Sequence, residues 1–371
     1  MRRALRLAVR GHGWTNPNPM VGAVLVRDGR IIGEGYHTAV GNPHAEREAL
    51  ADCRRRGENP AGATLYVNLE PCNHQGRTPP CTEAIIESRL ARVIIAHQDP
   101  NPLVNGSGIR RLESAGIPVE SGVLAKEAIA LNEGYCRYIC AGRPFVTLKA
   151  ATTLDGRIAT ASGHSQWVSG PAALRFAHWL RHVNDAILVG VDTVIADDPQ
   201  LTCRLPDFFP HRQPLRVILD SRLRIPPAAK VVSGKLPGQT LVAVTDRAPR
   251  EKIDRLAKPG VIVDIFPADA DGRVDIAAVL QALHRRQIAA LLVEGGGHVH
   301  ASFLQLRLAD KLNLVLAPKL VGGRDAKSWI AGELAATMDQ ALRLKDFHTR
   351  RLGVDLLVES HLEEVGECLL V

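Results

Sequence analysis

His44, Glu46, Cys72 and Cys81 are the residues of this sequence whose types and spacing bear most directly on chemistry. An imidazole and two thiolates are donors that a tetrahedral zinc prefers, and three protein ligands leave the fourth position to water. Zinc lowers the pKa of such a water to about 7, so hydroxide exists at neutral pH. Glu46 stands two residues from the imidazole. It can take the water's proton and hand it to a leaving group, serving first as base and then as acid. A lone buried cysteine is usually a small packing residue. The three donors together, with a carboxylate at this offset, point instead to metal-assisted hydrolysis.

These four residues must be brought together by regular elements. Asn42-Pro43 opens a helix, with Asn at the N-cap and Pro at the first helical position. This predicts His44 in the first turn, followed by an apolar stripe of Ala45, Ala49, Leu50 and Cys53. Residues 63–69 read as a strand that delivers Glu70-Pro71-Cys72. Thr78-Pro79-Pro80 starts a second helix, with Cys81 near its N-terminus, where the helix dipole favours thiolate. Upstream, residues 2–10 form an amphipathic helix, and 21–26 and 30–36 form a hairpin turning at Asp28-Gly29. Downstream come a strand at 92–97, a helix at 108–115, a short strand at 117–121 and a helix at 124–141. Alternation of this kind predicts an α/β layer structure with the ligand-bearing helix starts side by side on one face.

A chain of 371 residues is long for a single core, and Gly142-Arg143-Pro144 breaks it into expected domains of 1–142 and 143–371. Apolar residues make up 46%, charged residues 23% and aromatics 4%, an ordinary soluble globular balance. The formal charge of +7 suits phosphate-bearing small molecules. The basic residues are scattered, and Arg54-Arg55-Arg56 and Arg285-Arg286 read as solvated helix faces, so no nucleic-acid partner is expected. Seven cysteines without a secretory signal predict reduced thiols and a cytoplasmic protein, with Cys136 and Cys140 a packed pair. No apolar run is long enough to span a bilayer, so no membrane partner is expected.

The second half alternates again, with strands at 145–150, 186–190, 216–220, 240–244, 261–266 and 289–294. Helices are expected at 171–183, 275–286 and 298–307, and the end reads as strands at 311–317, 344–348 and 355–359. No G-x-G-x-x-G follows the first strand. Gly295-Gly296-Gly297, between a strand and a helix, offers backbone amides to a pyrophosphate instead.

H-x-E followed by P-C and a second cysteine is the pattern of zinc-dependent base deaminases, which ordinarily space the two cysteines three apart. Here they are nine apart, and the insert adds His74 and Arg77 as polar contacts. His74 ranks below His44 as a ligand because Glu46 accompanies His44. The run from Glu70-Pro71-Cys72-Asn73-His74 through Thr78-Pro79-Pro80-Cys81 resembles the deaminase domain of the bifunctional riboflavin-biosynthesis deaminase/reductase family. So do Asn16-Pro17-Asn18-Pro19-Met20-Val21-Gly22 and Gln98-Asp99-Pro100-Asn101-Pro102. In the second half Lys149, Leu154-Asp155-Gly156-Arg157, Ser165-Gln166-Trp167 and Gly190-Val191-Asp192-Thr193 resemble the same family's reductase domain. Asp197 through Thr202, Val293 through Gly297 and Ala317 through Gly323 extend the likeness over essentially the whole chain.

The resemblance implies a cytidine-deaminase-like three-layer domain followed by a dihydrofolate-reductase-like domain. It implies that a diaminopyrimidinone carrying a ribosylamino 5-phosphate loses its 2-amino group as ammonia. The ribosyl group is then reduced to ribityl. Zinc, on His44, Cys72 and Cys81, would serve the first step with Glu46, and NADPH the second. Thr152, Trp167, Thr193, Asp197, Ser221 and the run Gly296, Gly297, His298, Val299, His300, Ala301 and Ser302 would contact NADPH. Ser165, Arg181, Leu201, Arg204 and Glu294 would contact substrate, the two arginines as phosphate clamps. Lys149 and Asp197 would help open the ribose ring. Homo-oligomers are expected from the same likeness. Thr152-Thr153, Cys203 and the loop with Phe208-Phe209-Pro210 depart from the usual pattern and bear on substrate contacts. The competing readings are a tRNA or nucleoside deaminase with an unrelated C-terminal domain, and a non-catalytic zinc scaffold; Glu46 argues against the latter.

Overall fold

The computed structural model describes residues 1–75, 79–205 and 212–362. Arg77, Thr78, Phe208-Phe209-Pro210 and Cys368 therefore lie outside the described residues. The chain divides into two compact units, the first being Met1–Gly142 and the second beginning at Arg143.

In the first unit the strands are β1 (Gly22–Arg27), β2 (Arg30–Tyr36), β3 (Thr64–Val67), β4 (Arg92–Ile95) and β5 (Val119–Glu120). The helices are α1 (Arg2–Ala8), α2 (Ala45–Arg55), α3 (Cys81–Glu87), α4 (Ser107–Ser114), α5 (Ala125–Leu131) and α6 (Glu133–Ala141). The sheet order is β2-β1-β3-β4-β5, with β1 antiparallel to both neighbours and β3, β4 and β5 parallel. Strand alternation builds three layers. Ala23 and Leu25 of β1 join Ala49 and Leu50 of α2, Ile85 of α3 and Leu112 of α4 in one core. Val24 points the other way, to Ala4 and Leu7 of α1. Helix α2 lies directly on β2, because Gly33 and Gly35 present no side chain there. A Cβ at either would overlap the backbone of Ala49.

Two local expectations fail. Helix α2 starts at Ala45, and His44 precedes it in extended backbone (φ −72, ψ 161) instead of lying in the first turn. Asn42 donates its amide to Thr38 Oγ1 (2.9 Å) rather than capping the helix, and the Pro43 carbonyl faces His37. The helix foreseen at 124–141 is two helices broken at Asn132. That side chain accepts from Met20 N (2.8 Å) and donates to Met20 O (3.0 Å), a tertiary demand that local periodicity does not register.

The second unit holds β6 (Phe145–Thr153), β7 (Arg157–Ala159), β8 (Ala186–Gly190), β9 (Leu215–Leu219), β10 (Thr240–Val244) and β11 (Val261–Ile265). It continues with β12 (Ala290–Val293), β13 (Lys311–Ala317), β14 (Lys327–Ser328), β15 (Leu344–Leu352) and β16 (Asp355–Leu362). Its helices are α7 (Pro171–Val183), α8 (Val191–Asp197), α9 (Arg250–Leu256), α10 (Ile276–Arg285) and α11 (Gly297–Gln305). The large sheet runs β11-β10-β9-β8-β12-β6-β13-β16-β15. It is parallel from β11 to β13, and β16 and β15 close it antiparallel. The chain steps outward from β8 to β11 and returns to β12 on the other side of β8. That reversal makes the ends of β8 and β12 a switch point, where open parallel sheets bind ligands. Ile187, Val189, Ile218, Val242 and Leu292 form the core with Phe176 and Leu180 of α7. Helices α8 and α9 and the short strands β7 and β14 were not foreseen. At seven residues each the two helices span about two turns, and the strands are three and two residues, too short for their own periods to declare themselves. No helix among the described residues is long and apolar enough to cross a membrane.

Candidate active sites

The first cluster forms where three segments converge. His44 immediately precedes α2, Cys72 sits in the turn beyond β3, and Cys81 is the first residue of α3. The Cys72 carbonyl accepts from Cys81 N (3.1 Å) and Thr82 N (3.3 Å), so the insert returns to where it left. Cys81 N also points at Cys72 Sγ (3.4 Å). His44 Nδ1 lies 3.5 Å from Cys72 Sγ and 3.4 Å from Cys81 Sγ. A tetrahedral zinc with ordinary bond lengths sets nitrogen and sulfur ligands about 3.6 Å apart. The donor atoms of all three residues fall within 4.8 Å of one another, and among the described residues this is the group able to hold a metal ion.

The electrostatics agree with a cation site. Glu46, in the first turn of α2, is buried. Burial, and then the neighbouring Cys72, push its carboxyl above the usual range. The Cys72 thiol is pulled down to about 4 by the hydrogen bond from Cys81 and then by His44, while Cys81 moves up against its partner. Only a compensating positive charge, such as a divalent cation supplies, would let both sulfurs and the carboxylate be ionised together here.

Supporting residues that sequence reasoning missed hold this cluster. His37 is buried, with Nδ1 3.2 Å from Pro43 O and Nε2 3.2 Å from Asn18 Nδ2. With the proton on Nδ1 it donates to the carbonyl preceding His44 and accepts from Asn18. Its ring meets that of His44 edge to face at 5.3 Å. Glu70 is buried too, and its carboxylate accepts four backbone amides: Asp99 (3.1 Å), Gly106 (2.9 Å), Gly108 (2.9 Å) and Ile109 (3.2 Å). It thereby ties the Cys72 turn to the segment after β4. Asp99 also accepts from Tyr135 Oη (2.8 Å), and burial raises its pKa to about 6. The signal for Glu70 was its place in Glu70-Pro71-Cys72; nothing local marks His37. His74 stands apart from the three ligands, and its Nδ1 is buried without a partner among the described residues.

The second cluster lies at the end of β12, beside the middle of β6. Glu294 follows β12 and takes Arg181 of α7 in a fork, Nε–Oε1 3.0 Å and Nη2–Oε2 2.7 Å. Burial alone would raise Glu294, but Arg181 and Lys149 outweigh it and hold the carboxyl at about 2. Burial lowers Lys149, with Glu294 opposing and Arg181 adding to the effect. Arg181 Nη1 (3.3 Å) and Arg204 Nη1 (3.5 Å) both reach Thr202 O, and Arg204 donates to Thr202 Oγ1 (2.8 Å). His178, one turn before Arg181, was not singled out in the sequence; burial and the two arginines lower it to about 4. The fork to Glu294 shows Arg181 already committed to an internal carboxylate, whereas Arg204 is exposed.

Of the expected cofactor residues, Gly296 and Thr193 meet in the turn after β12. A Cβ at Gly295 would come within 2.5 Å of Val189 Cα and one at Gly297 within 2.5 Å of Ser328 O, while Gly296 has φ +53. The three glycines thus make a close-packed turn whose following helix, α11, has no side-chain cap. Its first amides remain for an anion, which fits a dinucleotide pyrophosphate. Thr193 of α8 borders this turn, with Oγ1 3.6 Å from the Cβ position of Gly296. Thr152 is fully buried with Oγ1 unpartnered, and Val299 packs over Gly190. Ser165 Oγ is 3.4 Å from Asp197 Oδ1, and Trp167 is exposed. His300 and Ala301 are turned inward. His300 places Nδ1 3.0 Å from Trp329 O and Nε2 3.4 Å from Val293 O, so only the backbone there can meet a ligand. Ser302 donates to His298 O (3.0 Å). Leu201 is buried with φ +54.

Comparison with known proteins matches both halves. Residues 1–97 fit the family described as the cytidine and deoxycytidylate deaminase zinc-binding region, and residues 144–358 fit the RibD C-terminal domain. A riboflavin biosynthesis protein RibD from Actinobacillus pleuropneumoniae is 44% identical over 97% of this chain and 93% of its own. A solved structure of Acinetobacter baumannii RibD superposes with a TM-score of 0.87 at 39% identity, covering 98% of each chain. A Thermotoga maritima structure, described as a diaminohydroxyphosphoribosylaminopyrimidine deaminase/5-amino-6-(5-phosphoribosylamino)uracil reductase, gives 0.83 at 38% identity, covering 98% of this chain and 97% of its own.

The fold and its two clusters define a two-headed enzyme, a zinc-type deaminase joined to an NADPH-dependent reductase. The chain belongs to the RibD family and is a bifunctional deaminase and reductase of riboflavin biosynthesis. An RNA or nucleoside deaminase with an unrelated appendage is not favoured, because the likeness runs through both halves.

Proposed function

We propose that residues 1–142 deaminate 2,5-diamino-6-(5-phosphoribosylamino)pyrimidin-4-one and that residues 143–371 reduce the ribosyl group of the product to ribityl. The observation that carries this reading is the approach of His44, Cys72 and Cys81 beside a buried Glu46. His44, Cys72 and Cys81 would hold zinc, which when bound supplies a Lewis acid that acidifies water. Glu46 takes a proton at a carboxylate oxygen and delivers it to the departing amine, and its raised affinity for that proton suits the second half of the task.

In the reductase half, NADPH when bound supplies the hydride. Lys149, whose pKa burial lowers, and Asp197 at the end of α8 handle the protons of ribose ring opening. Glu294 holds Arg181 and Lys149 in place. Arg204, with Ser165 and Leu201, meets the phosphorylated substrate, Arg181 offering its remaining edge. Thr152, Trp167, Thr193, Ser221 and the Gly296–Ser302 segment line the cofactor path. We expect a cytoplasmic setting from the family likeness. The family likeness leads us to expect a homo-oligomer. The test is a coupled assay: purified protein given the diaminopyrimidinone phosphate and NADPH should release ammonia and then consume NADPH. NADPH oxidation without prior ammonia release would overturn the assigned order.

A further inference from the structure

Residues 198–205 follow α8 without regular structure, so no helix or strand sets their shape. They nevertheless carry Leu201 and Arg204, and side chains from other elements hold them. Cys203 is buried, and its Sγ donates to His178 O of α7 (3.4 Å). On its other side stands Gln213, just before β9. Cys203 N donates to Gln213 Oε1 (2.9 Å), and Gln213 Nε2 donates to Cys203 O (3.0 Å). The amide thus takes the place of a neighbouring strand, exchanging both bonds that a paired residue would exchange. A carboxamide can do this because it offers a donor and an acceptor side by side, whereas a carboxylate offers acceptors only. Gln213 is itself seated against Gly238, φ +81, where an added Cβ would come within 2.9 Å of Gln213 Cβ.

Each of these two bonds fixes a rigid peptide plane. Cys203 N and Thr202 O belong to one plane and point in opposite directions. Holding the N–H against Gln213 therefore aims Thr202 O the other way, where Arg181 Nη1 (3.3 Å) and Arg204 Nη1 (3.5 Å) share it. Cys203 O belongs to the next plane, which carries the Arg204 amide and so sets where that side chain departs. The Arg204 guanidinium folds back onto the same segment, with Nη1 2.8 Å from Thr202 Oγ1 and 3.4 Å from Gln200 Oε1. Among the described residues no carboxylate lies within ion-pair distance of Arg204. Two guanidiniums converging on one carbonyl leave donors and positive charge for a phosphate.

We propose that Gln213 is a positioning residue for the reductase substrate: by clasping Cys203 it orients Thr202 O and Arg204 to receive the substrate's phosphate. This rests on the reading of Arg181 and Arg204 as the groups that meet the phosphorylated substrate. Gln213 acts through Cys203, so it governs how tightly the phosphate end is held and leaves the hydride step alone. Gln213→Glu is the sharpest perturbation. It keeps the size and the acceptor for Cys203 N, but sets a second acceptor against Cys203 O, which turns the plane that carries Arg204.

Steady-state reduction by the full-length protein, of the aminouracil phosphate and of its dephosphorylated counterpart, tests this. Gln213→Glu and Gln213→Ala should each raise KM for the phosphorylated substrate about tenfold, with kcat within about threefold and the KM for NADPH within about twofold. For the dephosphorylated compound kcat/KM should stay within about twofold of wild type, since it lacks the group that Arg204 receives. Gln213→Asn, which keeps the amide on a shorter stem, should fall between wild type and the glutamate variant. In an Arg204→Ala background Gln213→Glu should add less than about twofold, because the group it positions is gone. An unchanged KM in Gln213→Glu, equal loss on both substrates, or a fully additive effect in the Arg204→Ala background would overturn the proposal. Wild-type KM in Arg204→Ala alone would overturn the underlying reading of the phosphate corner instead.

Discussion

A buried carboxylate beside two sulfurs is an unfavourable arrangement, and Glu46 is kept in it. Its place in the first turn of α2 is fixed by the helix that also presents His44. Glu46→Gln keeps the shape and removes the transferable proton. Ammonia release should fall by about a hundredfold or more, with zinc content unchanged; robust deamination in that variant, followed by an ammonia assay, would remove Glu46 from proton transfer. Glu294 plays a different part. It neutralises Arg181 and Lys149 inside the second unit, and Glu294→Gln would leave two buried cations facing one neutral amide. Breaking one member of such a network costs roughly 3–5 kcal/mol. The acid side follows from its low pKa: the stabilisation is complete above about pH 4.5 and is lost as pH falls toward about 2, where the folded carboxyl takes its proton. Urea midpoints measured across that window should fall in the wild type and slope less in Glu294→Gln.

Among the elements, α2 and its seat on β2 determine whether the zinc ligands can meet. Gly33 and Gly35 let the helix backbone rest on the strand. Gly35→Ala would force α2 outward and with it His44 and Glu46. Overpacking of this sort costs about 1–3 kcal/mol. Deaminase activity should drop while reduction of the supplied aminouracil phosphate stays near wild type, and equal loss of both would contradict this account of α2. Elements with uniform apolar patterns were legible from sequence, short strands included. The spans 30–36, 171–183, 186–190, 240–244 and 311–317 match β2, α7, β8, β10 and β13 residue for residue. What escaped was decided by tertiary partners. Asn132 breaks a continuous helical pattern because Met20 needs both of its amide ends. His44 leaves the helix because Asn42 binds Thr38 instead of capping. The metal ligands were legible because their types are chemically narrow. His37 was not, since a histidine that bonds to backbone carries no local pattern, and Glu70 was marked only by its place before Pro71-Cys72.

At the scale of the whole molecule, two units with separate hydrophobic cores carry two chemistries that share no residue. Removing the metal should therefore separate the activities. A strong chelator should abolish ammonia release and leave NADPH-dependent reduction of the aminouracil phosphate within about twofold, and restored zinc should return the first activity. The most direct test of the central claim is zinc content per chain, measured on the purified protein and on His44→Ala, Cys72→Ser and Cys81→Ser. The account predicts one zinc in the wild type and well under half of that in each variant; full occupancy in any of the three would contradict it.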